Sequence, residues 1–104
     1  MKNVYVDIEN IKDESDFEVN KVHKSAEELI KKIGHMTDIE FLKIHVKKHK
    51  KAGPKIKYGI HTQISSSIGL FESTGEGWEL VTASQEALDK LEKEVMKKYE
   101  KSKQ

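Results

Sequence analysis

Two neighbouring runs of strict alternation, joined by a glycine-proline turn, constrain this chain's architecture more than any other feature. Residues 39–48 (IEFLKIHVKK) set Leu42, Ile44 and Val46 against Lys43, His45 and Lys47. Residues 55–64 (KIKYGIHTQI) set Ile56, Tyr58, Ile60, Thr62 and Ile64 against Lys55, Lys57, His61 and Gln63. A period of two puts each set on one face of a pleated strand. The HKKAGP stretch at 49–54 reads as the hairpin connection, with Pro54 in the loop or at the first residue of the second strand, where its missing N–H is tolerated. The hairpin therefore has one apolar and one basic face, and its apolar face has to pack on helices.

The flanking segments supply the rest. Residues 3–9 (NVYVDIE) alternate Val4, Val6 and Ile8 with Tyr5, Asp7 and Glu9, predicting a first strand. Ser25 stands three residues before Glu28 in a capping-box pattern, and Ala26, Leu29, Ile30 and Ile33 follow at helical spacing up to Gly34, a C-cap. The stretch before it, residues 10–24, is expected to be an acidic loop. After the Ser65-Ser66-Ser67 turn, a third antiparallel partner is expected across 67–74. Gly75-Glu76-Gly77 then turns the chain into a long helix over 77–101, with Trp78, Val81, Ala87, Leu88, Leu91, Val95 and Tyr99 as its apolar stripe. Glu86–Lys90 and Glu94–Lys98 are (i, i+4) pairs in the favourable order. Trp78, beside Gly77, is expected to be a core or staple residue, with base stacking as the alternative. The predicted fold is α+β, a two-layer sandwich in the order β-α-β-β-β-α. Its four-stranded, mainly antiparallel sheet carries two helices on one face. At 104 residues the chain suits one domain, 1–104, with 102–104 as a frayed tail.

Several function classes drop out. With no Cys there is no disulfide, thiolate metal site or Cys nucleophile. No apolar run reaches the roughly 20 residues of a membrane span, and no signal-type segment follows Met1. A soluble, cytoplasmic protein is expected. His45 and His49 are four apart, which suits a metal only on a helix, and they fall on a strand and its turn. Gly75-Glu76-Gly77 lacks the lysine of a phosphate-binding loop, and Ser65–Ser67 have no nearby His–acid arrangement. Neither an enzyme nor a cofactor or metal site is expected.

Charge separates along the chain. Residues 41–61 carry seven Lys, three His and no acid, whereas residues 62–89 carry five acids and no Lys. Residues 90–104 carry six Lys against three acids. Lysines solvate faces and protect sheet edges as a matter of course. Yet 21 consecutive acid-free residues in an acid-rich chain point to a polyanion. All 19 basic residues are Lys, and lysine offers point charges to phosphates without the planar fork that reads base edges. Contact through the backbone, without DNA sequence specificity, is expected. The candidates are Lys43, His45, Lys47, Lys48, Lys55 and Lys57 on the hairpin, with Lys90, Lys93, Lys97, Lys98 and Lys101 on the last helix. Lys90, Lys93, Lys97 and Lys101 follow the spacing of one helical stripe.

With these segments in hand, the chain resembles the ribosome hibernation-promoting factor family, also called ribosome-associated inhibitor A, protein Y or sigma-54 modulation. The resemblance is carried by Ile64–Tyr99, where Gly69, Gly75, Ala83, Ala87, Leu88, Lys90, Leu91, Glu92, Lys93, Val95 and Lys97 fall in the family pattern. The run HVKKHKKAGPKIKYGIHTQ with GWEL looks like the archaeal branch. The resemblance implies a fold similar to double-stranded RNA-binding domains. It also implies a place in the messenger and transfer RNA channel of the small ribosomal subunit, contacts from basic residues to ribosomal RNA, and silencing of translation under stress. Lys90, Lys93, Lys97 and Lys101 match family basic positions. The long members' dimerisation domain does not follow Gln104, so a short, monomeric form is expected. A different reading is a protein-interaction module that binds a basic partner through its acidic segments.

Overall fold

A computed structural model describes residues 5–50 and 56–102, apart from the side chains of Lys50 and Ser102. The elements are β1 (Tyr5–Glu9), α1 (Asp16–Ile33), β2 (Ile39–Lys50), β3 (Ile56–Ser66), β4 (Gly69–Gly77) and α2 (Leu80–Ser102). The sheet order is β1-β2-β3-β4. β1 runs parallel to β2, which needs the crossover through α1, and the other pairs are antiparallel. This is the expected α+β sandwich.

The hairpin register follows from its alternation. Leu42 faces Ile64, Ile44 faces Thr62 and Val46 faces Ile60, and all six are buried. A slip of one residue would turn every one of them to solvent. Val22, Ala26, Leu29 and Ile33 of α1 and Ala87, Leu88, Leu91 and Val95 of α2 close the core from the same side. The helices run parallel, since a small cleft between them brings Ser25 to Gln85 and the Lys32–Glu92 pair lies two turns further on. Both helix C-termini therefore point away from the hairpin tip. Among the described residues nothing covers the other face of the sheet.

Three boundaries differ from expectation, each for a physical reason. Helix α1 begins at Asp16, within the predicted acidic loop, and its N-cap is Ser15. The Ser15 hydroxyl accepts from the Glu18 N–H at 3.2 Å and donates to the Glu18 carboxylate at 3.1 Å. The capping box is thus Ser15–Glu18, and Ser25 lies mid-helix. Asp16 and Glu18 are acids placed favourably at the positive end of the helix dipole. Ser15→Ala is expected to cost about 1 kcal/mol, lowering the melting temperature in a thermal melt by roughly 4–8 °C.

Strand β4 continues through Gly75 to Gly77, so the glycines there do not make the turn into the helix. A Cβ on Gly75 would lie 2.5 Å from the Ala83 carbonyl oxygen and 2.8 Å from the Ala87 nitrogen. Gly75 is where α2 lies directly on the strand. The third difference is at Trp78, which is 54% exposed and outside the core. The chain turns between β3 and β4 at Ser67-Ile68, where Gly69 takes a φ of +138° and the Ser66 hydroxyl donates to its carbonyl at 2.9 Å. The expected tail falls partly beyond view: α2 runs to Ser102, and residues 103–104 lie outside the described residues.

Candidate nucleic-acid interface

Register maps the uncovered sheet face row by row. At the hairpin end, His49 of β2 pairs with Lys57 of β3; the β3–β4 register ends at Tyr58–Gly77, and Trp78 follows it with its indole centroid 5.8 Å from the Lys57 ammonium. Next come Lys47, Gly59 and Glu76, then His45, His61 and Thr74 with Glu9 on β1. Below them lie Asp7, Lys43, Gln63 and Glu72, and last Tyr5, Phe41, Ser65 and Leu70.

This face is not purely basic. The acid-free run in sequence gains acids in space, because β1 and β4 flank the hairpin and bring Asp7, Glu9, Glu72 and Glu76 beside it. His45 Nδ1 lies 3.4 Å from Glu9, His61 Nε2 lies 3.6 Å from Glu72, and Lys57 Nζ lies 3.4 Å from Glu76. Lys43 and Lys47 pair with no acid among the described residues. Among the described residues Lys47 and Lys57 stand at the hairpin end, beyond the last β1 pair at Glu9–His45. Lys55 lies outside the described residues.

Lys48 has a different environment. It sits on the helix side, opposite Tyr58, and ion-pairs with Glu14, whose side chain is only 6% exposed. Tyr58 donates its hydroxyl to the same carboxylate at 2.9 Å. Burial, then the Glu14 hydrogen bond and charge, push the Tyr58 phenol from 10.0 up to about 12. The folded form holds this proton more tightly, so the stabilisation is complete below pH ~10 and is lost as pH rises towards ~12. Denaturation midpoints measured from pH 9 to 12 are expected to fall in the native protein and to lose that component in Tyr58→Phe.

On α2, Lys90, Lys93, Lys97 and Lys101 form an exposed stripe along the β4 side, and Lys98 is exposed further round the helix. Lys90 is engaged: its ammonium lies 3.3 Å from Glu86 and donates to the Thr74 carbonyl at 3.2 Å. Glu86 in turn accepts from the Glu76 N–H at 3.3 Å. That backbone hydrogen bond, reinforced by Lys90, holds the Glu86 carboxyl below the usual range. Together the two side chains satisfy backbone groups on the free edge of β4. Lys93, Lys97 and Lys101 pair with no acid among the described residues.

The two basic regions remain separate. The hairpin lysines lie on the open sheet face and the α2 stripe in the helix layer. Starting from the Thr74–Lys90 contact, the rise per residue puts Lys57 and Lys101 about 30 Å apart, in a body 52 Å long. The cleft between the helices has a volume of about 30 Å³ and is lined by Glu28, Asp89, Glu92 and Lys32 among others. Among the described residues no group of three or more His, Asp or Glu is placed to hold a metal ion, and no helix is long and apolar enough to cross a membrane.

A four-stranded β-α-β-β-β-α sheet with one open face defines a class of small two-layer domains. The N-terminal domain of protein Y from Thermus thermophilus is similar in structure, with a TM-score of 0.62 and 24% identity over 92% of this chain and 98% of that one. No curated protein matches. The family model described as "Hibernation factor Hib, C-terminal domain" matches residues 5–104. The chain belongs to this ribosome hibernation factor family, as its Ile64–Tyr99 run implied. The family is one of non-enzymatic ribosome-binding proteins, and membership gives the chain a ribosome-associated role in hibernation and the regulation of translation.

Proposed function

We propose that this protein acts in the cytoplasm by binding the small ribosomal subunit, where it occupies the RNA channel and blocks translation without catalysing a reaction. Its contacts go to ribosomal RNA phosphates. The observation that carries this reading is the row of Lys93, Lys97 and Lys101, exposed on one side of α2 with no acid paired to them among the described residues. Lys43, Lys47 and Lys57 add charge on the sheet face, whereas Lys48 and Lys90 reach RNA only by giving up their internal partners. Lysine without arginine suits recognition of structured RNA by shape and backbone.

The competing reading is an acidic surface for a basic protein, and in its first segment Asp13 and Asp16 are exposed whereas two acids are engaged internally. Glu14 neutralises Lys48 and accepts from Tyr58, and Glu18 closes the N-terminus of α1.

A salt titration of binding to purified small subunits tests the proposal. If about six lysines each neutralise one phosphate, the log–log slope of affinity against salt is on the order of −4 to −5. Binding that is absent at low salt, or nearly independent of salt, contradicts it.

A further inference from the structure

We propose that Trp78 is a stacking platform for an unpaired nucleobase, with Lys57 and Lys47 receiving the flanking phosphates, so that the hairpin end of the open sheet face holds a single-stranded RNA segment. This rests on the RNA-binding reading above and specifies its ligand there.

The residue types required for such a site occur together in two adjacent rows. Trp78 leaves more than half its surface in water, although a β-sheet with two helices offers an apolar core a few residues away. It follows directly on β4, and the ammonium of Lys57, which pairs with His49, lies 5.8 Å from the indole centroid. In the next row Gly59 has no side chain. The His49 ring takes up part of that space, since a Cβ on Gly59 would lie 3.4 Å from His49 Nε2. Between Lys47 and Glu76 the sheet floor is therefore bare backbone at Gly59, flanked by the His49 ring.

The local charge fits an anionic strand. Among the described residues Lys43, Lys47 and Lys57 lie on this face, and Lys43 and Lys47 pair with no acid there. The acids within two residues of Trp78 in the chain are Glu76, which is paired to Lys57 at 3.4 Å, and the exposed Glu79. The Glu76 carboxylate is 71% exposed, so Lys57 can exchange it for a phosphate at little cost. Aromatic side chains beside a basic track bind single strands because every base offers a π face, and a duplex keeps its bases stacked on one another.

Trp78 is the only tryptophan in the chain, so indole fluorescence reports on this site alone. The whole protein is titrated with a short oligouridylate, with an RNA duplex of equal charge, and with inorganic polyphosphate. The expected result is quenching by the single strand alone. Neither variant keeps an indole, so their affinities are read by fluorescence anisotropy of a dye-labelled oligouridylate: Trp78→Ala is expected to weaken binding roughly tenfold, whereas Trp78→Phe retains most of it. Equal quenching by polyphosphate, or an affinity unchanged within twofold in Trp78→Ala, overturns the proposal. Co-sedimentation with small subunits separates the two levels. Native protein that binds subunits while Trp78→Ala leaves oligouridylate affinity intact removes the stacking site alone. Native protein that binds neither subunits nor RNA removes both readings.

Discussion

Gly75→Val is expected to lower the melting temperature by roughly 15–20 °C, the largest loss among substitutions at residues that carry no function here. The new Cβ alone would sit 2.5 Å from the Ala83 carbonyl oxygen, 2.8 Å from the Ala87 nitrogen and 3.2 Å from the Ala87 methyl. Two of those atoms are helix backbone and cannot rotate aside, so α2 has to lift from β4. Forcing extra atoms into a packed interior costs about 3 kcal/mol, and each kilocalorie is worth roughly 4–8 °C in a domain of this size. The lift would also strain the Ser73 hydroxyl's bond to the Ala87 carbonyl, 2.6 Å long, and the Glu86 and Lys90 contacts to the β4 edge. Gly59→Ala is the control. Its Cβ meets only the His49 ring, at 3.4 Å, and the Lys47 stem, so the shift is expected to stay within a few degrees. A Gly75→Val protein that melts like the native one would mean that α2 does not rest on the strand.

The strands were legible where one face is buried and the other wet. Leu42, Ile44 and Val46 alternate with Lys43, His45 and Lys47, and the observed register preserves that alternation. The start of α1 was less legible because two segments offer a Ser-x-x-Glu box, at Ser15 and at Ser25. What decides between them is the apolar series Val19, Val22, Ala26, Leu29 and Ile33, which keeps helical spacing back through the acidic stretch. The acids there are helix-end residues, and Glu14 is internal, because the half-buried Lys48 and Tyr58 of the hairpin converge on it. Nothing local announces that contact, which spans more than 30 residues.

The site was legible as charge but not as surface. Pairing β1 with β2 and β4 with β3 inserts Glu9, Glu72 and Glu76 into a face that looks uniformly basic along the hairpin. Gly75 and Gly77 looked like a turn because glycine's two uses, bending the chain and letting a helix come close, look the same in one dimension. The surroundings of Trp78 depend on the same ambiguity. Placed inside a helix it faced the core; placed after β4 it lies in water.

The second large effect is expected on binding. Lys93, Lys97 and Lys101 are the exposed cations on α2 with no internal partner among the described residues, so replacing them disturbs no contact described above. Removing three phosphate contacts lowers the salt slope by about 2.7, which at 0.15 M salt is an affinity loss on the order of 100-fold. Charge reversal adds repulsion to that loss. The fold is expected to survive, with a small penalty for negative charge near the C-terminal end of the helix dipole, and circular dichroism checks this.

The most direct measurement is therefore co-sedimentation of the native protein and the Lys93→Glu, Lys97→Glu, Lys101→Glu variant with purified small ribosomal subunits at 0.15 M salt. The native protein is expected to pellet with the subunits at one copy each, and the folded variant to stay in the supernatant. A variant that pellets as the native protein does, or a native protein that never pellets, would contradict the assignment of α2 as the ribosomal contact.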